Sequence, residues 1–323
     1  HTIVVTATDS SSAAATVTDT YVLTVTNTND APTVASAISD VSGAEDTAYS
    51  LDASGTCTDV DASDSMSYTI SGGPSTITAT TAGTISGTPV NADVGAHTIT
   101  VTCTDGSSAA ATDAYVLTVT NTNDAPTVAS AISDVSAAED AAYSLDISSV
   151  FTDMDVGDSL SYSISGAPST ITHTSGTISG TPVNADVGTH TIVVTATDSS
   201  SAAATVTDTY VLTVTNTNDA PTVANAISDA STAEDAAYSL DISSVFTDVD
   251  ASTTLSYSIS GAPSTITHTS GTISGTPLNA NVGAHTIVVT ATDGTASVTD
   301  TYVLTVTNTN DAPTVASAIS DVS

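Results

Sequence analysis

The side chains best placed to do chemistry in this chain are carboxylates and carboxamides. The string NTNDAPTV occurs four times, beginning at Asn27, Asn121, Asn216 and Asn308. Its aspartates, Asp30, Asp124, Asp219 and Asp311, follow one another at intervals of 94, 95 and 92 residues. Carboxylate and carboxamide oxygens suit a hard divalent cation, and the same residues favour turns through local hydrogen bonds. Catalysis is the weaker reading. Acid pairs can resemble a glycosidase dyad, but copies in every unit multiply structure or binding rather than a reaction. No Gly-x-Ser-x-Gly elbow or phosphate-cradling glycine loop stands out. His97, His190 and His285 open a strand, and His173 and His268 sit in a THTSG turn. With one histidine per face, structural use outweighs a transition-metal site.

Composition removes further classes. The chain has no Lys or Arg and 35 Asp plus Glu, a formal net charge of −35. Nucleic acid and anionic membranes therefore find no attraction, and lysine chemistry, from Schiff bases to Lys–Asn isopeptide bonds, is excluded. Such a chain must tolerate its self-repulsion or bind cations that relieve it. Hydrophobic residues make up 40% of the sequence in a strict pattern, which argues against disorder. No run approaches the roughly 18 apolar residues needed to cross a bilayer, and no signal peptide is visible. There is no Asn-x-Ser/Thr sequon, while abundant Thr and Ser leave O-glycosylation open.

The fixed interval makes the chain an array. Residues 1–35 are identical to residues 190–224, so the sequence starts and stops inside a repeat and is expected to be a window on something longer. The expected divisions are the C-terminal strands of a truncated repeat at 1–29, whole repeats at 30–123, 124–218 and 219–310, and the first strand of a truncated repeat at 311–323.

Within a repeat, apolar residues alternate with Thr and Ser in HTIVVTATD and YVLTVT, the period of half-buried strands. Ile192, Val194 and Ala196 share one face, as do Leu145, Ile147 and Phe151. Gly, Pro, Asn and Asp clusters punctuate these segments. Roughly seven short strands per repeat predict an all-β fold, a tandem array of antiparallel sandwiches of immunoglobulin-like or cadherin-like type. With 4% aromatic residues and no Trp the core must be light. Aligning the repeats puts Cys57 where the others carry Phe151 and Phe246, and Cys103 where they carry Ala196 and Ala291. A large and a small inward residue become cysteine in the same copy, which predicts a cross-sheet disulfide and an oxidising, extracytoplasmic setting, with two buried free thiols acting as small apolar residues as the alternative.

The middle repeat's motifs AEDAAY, FTDMDVGDSLSY, SGTISGTPVNADVGTHTIVVTATD and NTNDAP, which recur in this order with small changes in the other complete repeats, resemble the bacterial cadherin-like repeats, especially the dystroglycan-type cadherin-like domains of large surface proteins. The resemblance implies Ca²⁺ at the junction between consecutive repeats. Carried over residue by residue, the early glutamate falls on Glu45, Glu139 and Glu234, and the acidic turn on Asp93 and Asp186. The linker motif falls on Asn27, Asn29 and Asp30, then Asn121, Asn123 and Asp124, then Asn216, Asn218 and Asp219, and finally Asn308, Asn310 and Asp311. The Asp-x-Asp pair falls on Asp59 and Asp61, Asp153 and Asp155, and Asp248 and Asp250. The aspartate ending ATD or CTD falls on Asp105, Asp198 and Asp293.

Simple electrostatics agrees with that set. Six carboxylates at the second full junction (Glu139, Asp186, Asp219, Asp248, Asp250 and Asp293) would repel strongly without a divalent cation between them. The linker opens on Asn where cadherins usually have Asp, has Ala in place of a second Asn, and the acidic turn offers one carboxylate in place of two, so fewer ions per junction, one or two, or weaker binding is expected. Asn281 replaces the acidic-turn aspartate, which makes the junction at Asp311 the weakest. Asp113, Asp208 and Asp300 read as turn or strand-entry residues.

The leading expectation is a non-catalytic extracellular or cell-surface shaft, a stalk, fibre or adhesin stiffened by Ca²⁺ between further copies of the same repeat. An array of carbohydrate- or protein-binding modules is a second reading, although glycan platforms usually display aromatic rings. Self-association into a multi-chain filament or sheath is a third.

Overall fold

The structure is a computed structural model that describes residues 1–61, 64–155, 157–200, 203–251 and 253–317. It falls into two compact units: His1–Pro126 with Asp153–Leu160 and Asp198–Ala204, and Thr127–Thr152 with Ser161–Thr197 and Thr205–Ser323.

The first unit opens with an antiparallel hairpin of Thr2–Thr8 and Thr16–Val22. A sandwich follows. Its larger sheet has four strands in the order Val41–Ala44, Ala110–Thr120, Gly95–Thr104 and Ser67–Ser71, and its smaller one has Tyr49–Asp52, Thr84–Gly87 and Ile77–Ala79. A two-stranded ribbon pairs Thr33–Val34 with Cys57–Thr58. The roughly seven strands expected thus appear as nine segments. The first strand is split between 33–34 and 41–44 and changes sheets, and the second is interrupted by the turn at 53–56.

Sheet switching produces a departure from antiparallel pairing, once in each sandwich. Val41–Ala44 lies parallel to Leu117–Thr120, because the start of the repeat crosses over to meet its last strand. The crossing strands backbone groups that need partners. Asp113, expected as a strand-entry residue, lies inside the last strand, and its Oδ2 accepts the Ile38 N–H at 2.6 Å. Asp40 Oδ1 accepts the Val116 N–H at 2.8 Å in return. Asp208 and Asp300 do the same for Ile132 and Ile227.

The second unit holds two more sandwiches built alike. In one, Val135–Ala138, Thr205–Thr215, Gly188–Thr197 and Ser161–Ser165 form the larger sheet, and Tyr143–Asp146, Thr177–Gly180 and Ile171–Thr174 the smaller. In the other, the corresponding strands are Ala230–Ala233, Ser297–Thr307, Gly283–Thr292 and Ser256–Ser260, with Tyr238–Asp241, Thr272–Gly275 and Ile266–Thr269. Phe151–Thr152 and Phe246–Thr247 pair with Thr127–Val128 and Thr222–Val223. Thr314–Val315, the counterpart of those pairing strands, is not in a strand, and the rest of the strand expected over 311–323 lies at 318–323, outside the described residues. Among the described residues no helix is long and apolar enough to cross a membrane.

Alternation holds at the long strands of the three sandwiches, while the same pattern in the opening hairpin leaves Val4, Val5 and Val17 exposed. Ile99, Val101 and Cys103 point inward, as do Ile192, Val194 and Ala196, and all are fully buried. Leu145 on the facing sheet is half-buried, and Ile147 in the turn after it and Phe151 in the ribbon are buried. Aliphatic residues dominate these cores, each worth roughly 1.5–3 kcal/mol when fully buried. Paired tyrosines share their hydroxyls within the core, Tyr49 with Tyr115 and Tyr143 with Tyr210 at 3.2 Å. Burial pushes the Tyr115, Tyr210 and Tyr302 phenols well above their ordinary range.

Two sequence features gain a physical reason. The Gly of SGTP is required by close approach: a Cβ on Gly87, Gly180 or Gly275 would stand 2.0 Å from the carbonyl oxygen of Thr76, Thr170 or Thr265. Cys57 and Cys103 are joined in a disulfide with a Cα–Cα distance of 6.4 Å, the cross-sheet staple that the repeat alignment predicts.

Candidate metal centres

The parallel strand pairing explains why each repeat's early glutamate reaches the linker. Val41–Ala44 runs beside the last strand, so Glu45 arrives where that strand ends. Its amide donates to Thr120 O at 3.1 Å, and its Oε1 accepts the Thr122 N–H at 2.7 Å. Glu139 and Glu234 repeat this with Thr217 and Thr309, each at 2.7 Å. The three glutamates are 0%, 1% and 2% exposed. In each, Oε2 is buried without a hydrogen-bond partner.

A second set of acids comes from the opposite end of a sandwich. Asp105 follows the strand Gly95–Thr104 and closes its hairpin through Oδ1, which accepts the N–H groups of Ser107 and Ala109 at 2.8 Å. Its Oδ2 accepts the Asn29 carboxamide at 3.0 Å. Asp198 and Asp293 hold Asn123 and Asn218 in the same way, also at 3.0 Å. The Asn29 bond is the main reason that the Asp105 carboxyl stays below its usual range. For Asp198 the chief cause is the Ser200 hydroxyl, and for Asp293 the Ala296 N–H.

The Asp-x-Asp pairs form the third element. Asp59 Oδ1 accepts the Asp61 N–H at 2.8 Å, and Asp61 Oδ2 accepts the N–H of the linker residue Asp30 at 2.8 Å. Asp153 and Asp155 hold Asp124, and Asp248 and Asp250 hold Asp219, by the same bonds. Asp59, Asp153 and Asp248 each keep a buried Oδ2 without a partner.

Among the described residues, four groups of acids offer oxygens that lie within 4.8 Å of one another: Asp59, Asp64 and Asp105; Asp153, Asp155 and Asp158; Glu139, Asp219 and Asp250; and Glu234, Asp235 and Asp311. Oxygens about 2.4 Å from one shared Ca²⁺ stand at most about 4.8 Å apart. The first two groups belong to the first unit and the last two to the second. Asp64 shows the crowding. Burial, then the charges of Asp105, Asp61 and Asp59, raise its carboxyl above the ordinary range.

Not every expected ligand joins a group. Asn27, Asn121, Asn216 and Asn308 are exposed. Asn310 reaches only the Asp311 carbonyl, at 3.4 Å. Asp93 and Asp186 turn inward on their own 3₁₀ turns: Asp93 Oδ2 accepts Thr76 Oγ1 at 2.7 Å and the Val90 N–H at 3.0 Å. Asp186 does likewise with Thr170 and Val183, and those bonds, the Thr170 hydroxyl first, lower its pKa. Asn281 makes the same pair of bonds through its carboxamide oxygen, at 3.1 Å to Thr265 Oγ1 and 2.9 Å to the Leu278 N–H. The substitution that singled out the Asp311 junction therefore leaves this turn intact. The histidines brace the same turns, His97 Nε2 lying 2.6 Å from Asp93 O.

Sequence reasoning passed over the residue that does reach across. Asn91 Nδ2 donates to Asp155 Oδ1 at 3.1 Å, and Asn184 Nδ2 to Asp250 Oδ1 at 3.0 Å. Asn279 reaches Asp311 at 3.2 Å. The signal was present in the chain: this Asn persists in PVNADVG and PLNANVG, where the acid two positions later does not. Asp64, Asp158 and Asp235 were also missed.

The sequence profile of the Putative Ig domain family matches residues 31–120, 125–215 and 220–307. The chain belongs to this family. It is a tandem array of three such domains, with flanking portions of the same repeat. Among solved structures, protocadherin gamma B2 extracellular cadherin domains 1–5 superpose with a TM-score of 0.58 at 18% identity, covering 96% of this chain and 66% of that one. The protocadherin gamma B4 extracellular domain gives 0.53 at 19%, covering 95% and 54%. Mouse cadherin-23 EC22–24 gives 0.52 at 17%, covering 87% and 100%. These likenesses establish a cadherin-like sandwich fold for the Putative Ig domains. No curated protein sequence matches the chain.

Proposed function

We propose that this array is a non-catalytic extracellular shaft, a stalk, fibre or adhesin, whose junctions are locked by Ca²⁺, with repeats bounded at 30–123, 124–218 and 219–310. The observation that carries this reading is the partnerless Oε2 of Glu45, Glu139 and Glu234, buried beside the linker in a chain with no Lys or Arg. A buried carboxylate oxygen without a partner is costly. Since the chain has no Lys or Arg to neutralise it, the countercharge must come from solution. A hard divalent cation fits donors that are almost all carboxylate oxygens, with an Asn carbonyl among them.

At the Asp219 junction the donors would be Glu139, Asp219, Asp248, Asp250 and Asp293, with Asn218 beside them. At the Asp124 junction they would be Glu45, Asp124, Asp153, Asp155 and Asp198, with Asn123. Ca²⁺ would supply the positive charge that lets these acids remain ionised side by side. The linker contributes order of its own: the backbone N–H groups of Asp30, Asp124 and Asp219 donate to Asp61, Asp155 and Asp250. Binding only when linker and both flanking repeats converge stabilises that arrangement by mass action.

The test is chelation. In EDTA the chain should become more flexible by small-angle scattering, and cleavage by a nonspecific protease should concentrate at residues 27–33, 121–127 and 216–222. Equal stiffness and equal resistance with and without Ca²⁺ would overturn the reading.

A further inference from the structure

The disulfide lies directly beneath one acid group. Cys57 is followed two residues later by Asp59, and Cys103 two residues later by Asp105. The two cysteines belong to different strands, Cys57–Thr58 of the ribbon and Gly95–Thr104 of the larger sheet, and are 5% and 0% exposed. The bridge therefore fixes the distance between the two segments from which these carboxylates spring. Asp59 and Asp105 share one group, together with Asp64.

The other sandwiches carry Phe151 with Ala196, and Phe246 with Ala291, two residues before Asp153 with Asp198 and Asp248 with Asp293. There the covalent tie is replaced by packing. Among the described residues, the acid groups at those ends are Asp153, Asp155 and Asp158, and Glu139, Asp219 and Asp250. Neither draws in the aspartate that follows the Ala strand.

We propose that the Cys57–Cys103 disulfide is a positioning element for cation binding, which holds Asp105 against Asp59 and Asp64. The proposal rests on the Ca²⁺ reading above. A ligand pair fixed before binding pays less to be ordered, and loss of groups that orient first ligands typically lowers metal affinity by roughly tenfold or more.

The experiment is a residue-resolved Ca²⁺ titration of the full chain by NMR. The Ser107 and Ala109 amides, bonded to Asp105, report the first end, and the Ser200 amide, bonded to Asp198, reports the second. In the oxidised chain the Ser107, Ala109 and Ser200 signals should each move with Ca²⁺, which sets the parent midpoint for each end. The C57F/C103A chain carries the pair that the sister repeats already pack. It should shift the Ser107 and Ala109 midpoint up by about tenfold and leave the Ser200 midpoint in place. The reverse graft, F151C/A196C, should lower the Ser200 midpoint by a similar factor. Midpoints that stay put in both variants overturn the positioning role while leaving Ca²⁺ binding intact. Amides that ignore Ca²⁺ in the parent chain overturn both.

Discussion

The first and third sandwiches solve the same packing problem with different residues. The first closes its core with a disulfide, the third with Phe246 beside Tyr257, ring centroids 6.0 Å apart, and Ala291. The first has Asp64 in its acid group, where the third has Thr253. The first caps its 3₁₀ turn with Asp93, the third with Asn281. Yet Asn29 and Asn218 lie 3.0 Å from Asp105 and Asp293, and Asp30 and Asp219 are held at 2.8 and 2.9 Å. What varies is how the frame is braced, and what persists is the set of bonds from linker to aspartate.

The comparison can be broken in order of expected effect. Phe246→Ala should cost about 3–5 kcal/mol in chemical denaturation, because the third core has no covalent brace to limit the cavity. A loss below about 1 kcal/mol would show that the phenyl ring does not replace the disulfide. Next, Glu139→Gln, which removes one buried charge at nearly constant shape, should weaken Ca²⁺ binding at the Asp219 junction by about tenfold, or roughly 1.4 kcal/mol. Calorimetry on the full chain reads it, and unchanged affinity would detach the glutamate from the site. Asp300→Asn should then cost about 1 kcal/mol in the third sandwich, through a weaker bond to the Ile227 N–H at the sheet switch.

The smallest effect is the pH response of the turns. Asp186 has a lowered pKa in the folded chain, so its contribution is present above the ordinary carboxylate range and is lost as pH falls through the folded value. The Val183 amide, which donates to Asp186, should lose hydrogen-exchange protection as pH falls below the ordinary carboxylate range, by less than about 1 kcal/mol. The Leu278 amide, held by the carboxamide of Asn281, has no such dependence. Parallel loss at both positions would place the acid response elsewhere.

Much of this was legible in the sequence because alternation of Thr with Val, Ile and Leu is a property of single strands. The inward rows at Ile192, Val194 and Ala196 follow from it directly, and repeat alignment adds the cysteine pairing. Side-chain direction within a short turn is a different matter. In a 3₁₀ turn each residue rotates the chain by about 120°, so Asn91 and Asp93 face different ways. Only the surrounding bonds decide which one meets the next repeat. The sequence favours the acid on chemical grounds, and the Thr76 hydroxyl claims it for the turn. Likewise Asp64 and Asp158 lie in loops without period, where nothing local indicates that they fold back towards Asp59 and Asp153.

The parallel pairing of Val41–Ala44 with Leu117–Thr120 has a mechanical side. The chain reaches Val41–Ala44 soon after the short ribbon strand Thr33–Val34 and leaves the sandwich along Leu117–Thr120, and both run in the same direction. Tension on the two ends loads their hydrogen bonds together, in shear, where an antiparallel hairpin would peel open one bond at a time. The Thr122 bonds to Glu45 extend that shear patch into the linker, so anything that tightens the linker also raises the force at which the repeat gives way.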